Sequence, residues 1–378
     1  MEDILNILAK LISFKSITPS GTDAITFIAD YLEQRGFKCI VKTFGPQGQE
    51  VTNLYAQLGD NAPNICFAGH VDVVPPGDIA GWQSDPFNMR IDEDFVYGRG
   101  AVDMKGAIAC FLIAIDQFLK KNKQPKGAIS ILLTTDEEGD GTYGLKEMLE
   151  HIKDIKPKID FCILGEPTTM KDIGDTIKIG RRGSINFNLQ IIGRQGHVAY
   201  PLRAINPMPI MISALKDLVE YKFDLDSEFF QKSNLEITSI DGVNNISNVI
   251  PQSVAAKFNI RFNDNHSAES LNEIVAQIIS KYSKNYDLQY TCSSLPFIQA
   301  YSKEMQRFSN IVHDECKILP KIDTSGGTSD ARFIHKYTQV VEFGLNCDTA
   351  HKIDEYTKIS DLQKLYNVYY QSLEKLYI

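Results

Sequence analysis

The sequence predicts a three-layer α/β domain that is interrupted by a smaller α+β insert, a two-layer sandwich. In the first half of the chain, helix patterns alternate with short apolar runs of the kind that form buried strands. Near Lys178 the pattern changes to strands that alternate apolar and polar residues, which is typical of a sheet with one solvated face. The chain also has 378 residues, too many for one ordinary core. We therefore expect one domain formed by residues 1–179 and 293–378, with residues 180–292 inserted into it.

The elements of the main domain follow in chain order. Apolar residues recur with helical spacing in residues 2–14, 23–35, 104–121, 142–151 and 360–376. Strand patterns cover residues 37–44, 51–58, 64–70, 127–135 and 159–164, and the last three are mostly apolar. Because apolar strands that alternate with helices are typical of sheets covered on both faces, these three strands are expected to be buried in a three-layer α/β domain.

The insert shows a different set of patterns. Its strand patterns cover residues 184–192, 234–240, 253–262 and 286–291, and its helix patterns cover residues 205–219 and 267–282. The open alternation of the first strand indicates that one face packs against helices while the other meets solvent.

Composition excludes several classes of function. The net charge of −9 argues against a nucleic-acid or anionic-membrane surface, because both need a concentrated basic face. The seven cysteines form no CxxC pair, which favours free thiols in a reducing compartment. The N-terminal residues have an amphipathic helix pattern and lack the features of a signal peptide. We expect a cytoplasmic protein that binds neither nucleic acid nor membrane.

Potential metal ligands stand at the ends of the buried strands or in the loops that follow. They are His70, Asp103, the neighbours Glu137 and Glu138, Glu166 and, far downstream, His351. Ligand sites gather at such strand ends in open α/β sheets. Taken singly, each residue also has a plainer explanation, such as a structural histidine, a helix-capping aspartate or a solvated acidic turn.

Taken together, these residues suit a pair of metal ions. Mixed histidine and carboxylate ligands fit Zn²⁺, and also Co²⁺ or Mn²⁺. Asp103 can bridge two cations with its two oxygens, whereas Asp72 lies on the same strand face as His70 and can support its ring. Of two adjacent glutamates, one can bind metal while the other moves protons. One bridging acid, with one histidine and one acid for each metal, is the arrangement of a two-metal hydrolase.

The motifs resemble those of the di-zinc aminoacylase and carboxypeptidase-like metallopeptidase family. The matching segments are GHVDVVPPGD at 69–78, YGRGAVDMKG at 97–106, TTDEEG at 134–139, LGEPT at 164–168 and AHK at 350–352. Within that family, GRRGS at 180–184, GHVAYP at 196–201, SNVIP at 247–251 and SGGTSDARF at 325–333 are similar to the succinyl-diaminopimelate desuccinylases. The segments lie in order across nearly the whole chain.

The resemblance implies a role for each residue. His70 and Glu166 would bind one zinc ion, Glu138 and His351 the other, and Asp103 would bridge them. Glu137 would be the general base and acid, and Asp72 would support His70. The insert would form a homodimer in which His197 reaches the partner's active site. The residues around the substrate would be Arg181, Tyr200, Asn248, Arg261, Gly327 and Thr328.

The expected reaction is hydrolysis of the amide of N-succinyl-LL-2,6-diaminopimelate to succinate and LL-diaminopimelate. Leu202, Ile205 and Ser247 depart from the pattern of that group, and no substrate contact is assigned to residues 346–348. The alternatives are a sibling hydrolase, such as an acetylornithine deacetylase, aminoacylase or dipeptidase, and a non-catalytic metal-binding or dimerisation module.

Overall fold

A computed structural model describes residues 1–242, 244 and 246–376. The chain divides into two compact units. Unit 1 comprises Met1–Ile179, Gln299–Asp323 and Ser329–Ile378, and unit 2 comprises Gly180–Ile298 and Thr324–Thr328. The chain thus returns to unit 1 after Ile298, six residues later than expected from the sequence, and Thr324–Thr328 are an additional segment of unit 2. That the insert is a separate dimerisation or lid domain stays a prediction.

The strands of both units are numbered in chain order. They are β1 (Lys38–Phe44), β2 (Val51–Leu58), β3 (Asn64–His70), β4 (Arg90–Asp92), β5 (Phe95–Tyr97), β6 (Ala128–Thr134), β7 (Phe161–Leu164), β8 (Thr176–Lys178), β9 (Gly180–Arg181), β10 (Gly183–Ile192), β11 (Gly196–His197), β12 (Asn234–Asp241), β13 (Val249–Ile250), β14 (Ser253–Phe262), β15 (Tyr286–Ser294), β16 (Phe297–Ile298), β17 (Lys321–Asp323), β18 (Gln339–Glu342) and β19 (Tyr356–Lys358).

The α-helices are numbered in the same way. They are α1 (Glu2–Ser13), α2 (Thr22–Glu33), α3 (Lys105–Asn122), α4 (Leu145–Ile152), α5 (Pro207–Glu220), α6 (Ala268–Ser280), α7 (Lys303–Cys316), α8 (Ala331–Ile334) and α9 (Ile359–Lys375). In the described part of the chain, no helix combines the length and the apolar character that crossing a bilayer requires.

The central sheet of unit 1 has eight strands in the order β1-β2-β6-β3-β7-β18-β8-β17. Strands β6, β3 and β7 run parallel to one another in its middle, and every residue of these three strands is buried. Phe67 of β3 stacks on Phe111 of α3 with ring centroids 4.3 Å apart, and Phe111 meets the edge of Tyr369 in α9. The predicted α/β class, a mixed sheet covered by helices, is therefore confirmed.

Unit 2 contains a four-stranded antiparallel sheet in the order β12-β14-β10-β15. Alternate residues of β10 are buried, and Phe187 stacks on Phe258 of β14 with ring centroids 5.1 Å apart. Buried side chains of α5 and α6, among them Leu215 and Leu271, complete the same apolar core. The helices therefore cover one face of the sheet, as the one-sided alternation of β10 indicates.

Candidate metal centre

Three parallel strands bring the predicted ligands to one edge of the sheet. His70 is the last residue of β3, Glu137 and Glu138 follow β6, and Glu166 follows β7. Because β3 lies between β6 and β7 and runs parallel to both, their carboxyl ends meet at the same edge. The alternation of helices and buried strands is thus what gathers residues that are about a hundred positions apart in the sequence.

The ring of His70 is fully buried and fixed at both nitrogens. Its Nδ1 hydrogen-bonds the backbone carbonyl of Asp72 at 2.9 Å. Its Nε2 lies 3.1 Å from Oδ1 of Asp103 and 3.6 Å from Oε1 of Glu166. The carbonyl accepts the Nδ1–H, so Nε2 is the nitrogen left to face a cation.

Asp103 lies between the two histidines. Oδ1 lies 3.1 Å from Nε2 of His70, and Oδ2 lies 3.3 Å from Nε2 of His351. One carboxylate oxygen thus faces each histidine, as the bridging role requires. The alternative interpretation of Asp103 as a helix cap is wrong, because α3 begins at Lys105 and no side chain caps its first turn.

The second histidine joins the group from the far end of the chain. Nε2 of His351 lies 2.9 Å from Oε1 of Glu138. His351 adopts a positive φ of 64° and leaves 52% of its side chain exposed, whereas His70 is buried. The two histidines therefore define an inner and an outer half of the site.

The buried carboxylates lie close together, and their negative charges would be compensated by a cation. Within the described residues, Oε1 of Glu166 is buried without a hydrogen-bond partner. Ligand atoms of His70, Glu137 and Glu166 lie within 4.8 Å of one another, and so do those of His70, Asp103 and Glu138. A buried carboxylate oxygen without a donor is costly unless a cation compensates it. Histidine nitrogen and carboxylate oxygen are donors that suit zinc.

The pKa values of the carboxyl groups reflect the same crowding. Burial and the charges of neighbouring acids raise the pKa of Glu137 and of Glu166 well above the ordinary value, although His70 opposes this. Asp103 is the exception, because its pKa lies below the usual range. Burial alone would raise this pKa, but the hydrogen bonds with His351 and His70 lower it by more. A divalent cation beside these carboxylates would favour their charged form and so oppose the effect of burial.

The same acids raise the pKa values of both histidines. Burial lowers the pKa of His70, but the Asp103 hydrogen bond and the nearby carboxylates bring it well above the ordinary value. Hydrogen bonds with Asp103 and Glu138 raise the pKa of His351 to about 10. Because metal binding needs neutral imidazole, ligation at this site has to displace these protons.

Asp72 contacts both the ring of His70 and the turn that carries the two glutamates. Its carboxylate lies 3.6 Å from Nδ1 of His70, and its backbone carbonyl is the closer partner of that ring. The carboxylate accepts hydrogen bonds from the backbone N–H groups of Glu137 at 3.3 Å and Glu138 at 3.0 Å. Asp72 therefore orients the turn that carries both glutamates as well as the histidine ring.

Sequence reasoning missed one buried acid next to this group. Glu355 is fully buried and accepts hydrogen bonds from the loop that carries Asp103. The available signal was its position, four residues after His351 and directly before a strand. An acidic residue at such a place is more often exposed, so the sequence alone gave little reason to select it.

The predicted substrate residues all lie in unit 2, where they form three groups. Nη1 of Arg181 donates to the carbonyl of Ser325 at 2.9 Å, which ties it to the loop that contains Gly327 and Thr328. Arg261 stands on β14 opposite Ser184 and is partly buried.

The third group lies on the short ribbon of β11 and β13. His197 pairs with Val249, so its neighbour Asn248 lies beside it, and the backbone carbonyl of Asn248 accepts from the N–H of Val198 at 3.1 Å. The rings of His197 and Tyr200 are 5.7 Å apart, and both residues are exposed. The structure thus brings three of the predicted residues, His197, Tyr200 and Asn248, together on one exposed loop surface.

Known proteins match the chain along nearly its full length. The model of Peptidase family M20/M25/M40 matches residues 66–375. The chain belongs to this family. Succinyl-diaminopimelate desuccinylase of Rickettsia rickettsii (strain Sheila Smith) is 55% identical over 378 residues, covering 98% of this chain and 99% of that protein. The enzyme of the same name from Rickettsia bellii (strain RML369-C) is 55% identical over 371 residues, covering 97% and 95%.

A solved structure of the same family has the same fold. The M20 family metallo-carboxypeptidase Sso-CP2 from Sulfolobus solfataricus superposes with a TM-score of 0.82, covering 100% of this chain and 99% of the other, at 20% identity. Family membership and the gathered ligands confirm that the chain is a metal-binding hydrolase of the M20 type, while they leave the identity of the metal open.

Proposed function

We propose that this protein hydrolyses N-succinyl-LL-2,6-diaminopimelate to succinate and LL-2,6-diaminopimelate, a step of lysine and cell-wall diaminopimelate biosynthesis. The observation that carries the proposal is the 55% identity to relatives with this named activity across 98% of the chain. The metal centre supports it, because every ligand and the general base expected of the hydrolase are present and, apart from the exposed half of His351, largely enclosed.

The proposed metal set consists of two zinc ions for each subunit, with cobalt or manganese as substitutes. His70 and Glu166 would hold one ion, Glu138 and His351 the other, and Asp103 would bridge them. Divalent cations at such a centre supply an acidified water and polarise the amide carbonyl. The donor set supports zinc because it combines imidazole nitrogen with carboxylate oxygen and contains no thiolate.

The protein's own groups carry the proton transfers. Glu137 accepts a proton from the attacking water and returns it to the departing amine, so water adds across the amide bond and leaves a carboxylate and an amine. The raised pKa of Glu137, caused first by burial, suits a group that must hold a proton between these two steps. His197 of a second subunit would donate a hydrogen bond to the carbonyl oxygen as negative charge develops on it.

The substrate carries carboxylates at both ends, so cationic side chains are needed to bind it. Arg181 and Arg261 are the proposed anchors, because guanidinium groups match the planar geometry of carboxylates. Gly327 and Thr328 would add a backbone N–H and a hydroxyl, and Tyr200 and Asn248 would add polar contacts. The exposed position of Gly327, whose Cα has open space where a side chain would stand, supports close approach of a ligand to the backbone.

We propose that the protein is a homodimer joined through unit 2. Strand β12 is an edge of the described four-stranded sheet, and its Ile240 is 56% exposed. On the neighbouring helix α5, Ile212 and Val219 are 66% and 55% exposed. These residues line an apolar groove of about 310 Å³ together with Met208. A second copy related by a twofold axis would cover this groove and the open edge in one self-complementary contact.

We also propose that the protein works in the cytoplasm. All seven cysteines lie in the described part of the chain and are free thiols. A reducing compartment explains this state, since thiols persist there without pairing.

The decisive experiment compares two substrates with zinc-loaded protein. Hydrolysis of N-succinyl-LL-diaminopimelate is expected to be strongly preferred over that of N-acetylornithine, and a chelator should abolish it. Glu137→Gln protein purified in parallel is the matched control for contaminating hydrolases. Preference for the acetyl substrate would assign the chain to a sibling deacylase, and hydrolysis of neither would favour a non-catalytic binding module.

A further inference from the structure

A buried ion pair lies behind the metal ligands. Nη1 of Arg99 is 2.8 Å from Oε2 of Glu355, and both side chains are almost completely buried, at 2% and 1% exposure. Burying two charges is costly unless further hydrogen bonds satisfy their remaining groups. Each member of this pair has such bonds, although Nε of Arg99 is buried without one among the described residues, and they end on backbone at or near the predicted ligands.

Glu355 holds the loop before Asp103. Its Oε2 accepts from the N–H of Gly100 at 2.9 Å, and its Oε1 accepts from the N–H groups of Val102 at 2.8 Å and Asp103 at 3.2 Å. The backbone carbonyl of Glu355 also accepts from the N–H of Gly98 at 3.0 Å. One residue therefore fixes the turn that presents the bridging carboxylate, and all its side-chain partners are donors.

Arg99 extends the contact to the other ligand segments. Its Nη1 donates to the carbonyl of Lys352 at 3.1 Å, directly after His351. Its Nη2 donates to the carbonyl of Pro75 at 3.3 Å, in the segment that follows His70 and Asp72. The pair thus links three stretches of chain that are far apart in sequence and that carry His70, Asp103 and His351.

We propose that Arg99 and Glu355 are positioning residues that set the spacing of Asp103 and His351 and thereby the affinity of the site for its metal ions. This inference rests on the proposed metal-dependent function. Neither residue belongs to the candidate ligand groups, and both act through backbone that the ligands share. Both carboxylate oxygens of Glu355 accept hydrogen bonds, and each of these bonds comes from an N–H donor.

Glu355→Gln tests the proposal with almost no change in size. The amide would turn an NH₂ group toward N–H donors, so the loop of Asp103 can no longer be held as it is. Zinc affinity, measured by competition with a chromophoric chelator, is expected to fall about 10- to 100-fold, the range for residues that orient metal ligands. At saturating zinc, kcat should fall while KM for the N-succinyl substrate stays within about twofold.

The matched control is Asp116→Asn. Asp116 accepts hydrogen bonds from Arg35 and Tyr31 and forms another Arg–carboxylate pair in unit 1, between α2 and α3. The zinc affinity of the Asp116→Asn protein should stay at the wild-type value. If Glu355→Gln does not fold, Arg99→Lys provides the second test. Lysine keeps the positive charge but lacks the guanidinium group that reaches the carbonyls of Pro75 and Lys352 together. Several-fold weaker zinc binding is expected for this variant.

Wild-type zinc affinity in folded Glu355→Gln or Arg99→Lys would overturn the proposal. An equal loss in Asp116→Asn would also overturn it, since the effect would then be general destabilisation. Failure of the proposed function is a separate result: a wild-type chain that binds zinc but hydrolyses no N-acyl amino acid leaves the affinity comparison intact.

Discussion

At the scale of single residues, Glu137 and Glu138 show how one turn places two adjacent acids in different surroundings. Asp72 holds the backbone N–H of each, so their side chains leave the turn in fixed directions. Glu138 meets His351, whereas Glu137 shares its surroundings with His70 and Glu166. The contact of Glu138 with His351 supports its proposed role as a ligand, and Glu137 is left as the proposed proton carrier.

Replacing Glu137 by glutamine should separate catalysis from metal binding. The amide cannot accept the proton, so kcat is expected to fall about 10²- to 10⁴-fold. Zinc content, measured by atomic emission on dialysed protein, should remain close to that of the wild type. Glu138→Gln is the matched comparison and should lose metal as well as activity. Near wild-type turnover in Glu137→Gln would remove this residue from the mechanism.

Truncating the proposed anchors should weaken substrate binding more than catalysis. Loss of a charge-assisted hydrogen bond of about 1.5–3 kcal/mol corresponds to a rise in KM of roughly 10- to 100-fold for Arg181→Ala and for Arg261→Ala. Steady-state kinetics with the N-succinyl substrate would measure it. Because Arg181 also contacts Ser325, thermal unfolding of each variant serves as the control for folding. Unchanged KM in both variants would contradict the anchor role.

The candidate ligands could be selected from the sequence because several of them are side chains at or just after strand ends. His70 and Glu166 each end an apolar run, and that pattern is visible in the sequence alone. Glu355 was not predictable in the same way, since its partners are backbone N–H groups of a loop 252–255 positions away. The support of Asp72 for the glutamate turn was missed for the same reason.

At the scale of elements, α5 and β12 carry apolar residues both in the core of unit 2 and on its exposed surface. The buried face of α5 packs into the core of unit 2 through Met211 and Leu215. Beside that buried face, α5 carries Ile212 and Val219, which are 66% and 55% exposed and stand where a solvated helix surface usually has polar residues. The apolar surface of the helix therefore extends beyond the part that the core of unit 2 covers, and this exposed part is the surface proposed to meet a second copy.

Replacing Ile212 by glutamate should disrupt the dimer. A buried, unpaired charge at the interface opposes association, whereas the same residue on a monomer is solvated. Sedimentation velocity should show a dimer for the wild type and a monomer for the variant. Ile79→Glu is the matched control, because Ile79 is also exposed, in unit 1, and should leave the dimer intact. A monomeric wild type or a dimeric Ile212→Glu would contradict the proposed interface.

Most elements were predicted within a few residues, and the exceptions have a common cause. The expected strands 51–58, 64–70 and 253–262 agree with the structure residue for residue. Strands β17 and β18 are only three and four residues long, and nothing in their sequence shows that β18 lies between β7 and β8. Periodicity reports which face of an element is apolar, whereas strand order depends on contacts between distant segments.

At the scale of the whole molecule, metal should stabilise unit 1 against unfolding. The ligands extend from His70 to His351, so only the folded unit can assemble them. At a free zinc concentration about 100 times Kd, linkage adds about 2.7 kcal/mol for each site. For a unit of this size, each filled site therefore corresponds to a rise in Tm of roughly 5–10 °C.

Calorimetry of chelator-stripped protein before and after addition of zinc would measure this shift. Magnesium is the matched control, because it prefers six oxygen ligands and should have little effect. Glu138→Gln should reduce the shift without abolishing it, since the ligands around Glu166 remain. Identical unfolding temperatures with and without zinc would mean that the site does not form in solution.

The position of β18 has a consequence for how the protein is made. The sheet of unit 1 has a gap between β7 and β8 until Gln339–Glu342 have left the ribosome, whereas the four-stranded sheet of unit 2 is complete once Ser294 has emerged. Domains fold as units during synthesis, and contacts between distant segments form late. We expect nascent chains to fold the insert first and to remain unable to capture a full metal complement until translation has passed His351. The protein therefore becomes an enzyme only after the segment that carries His351 has been made.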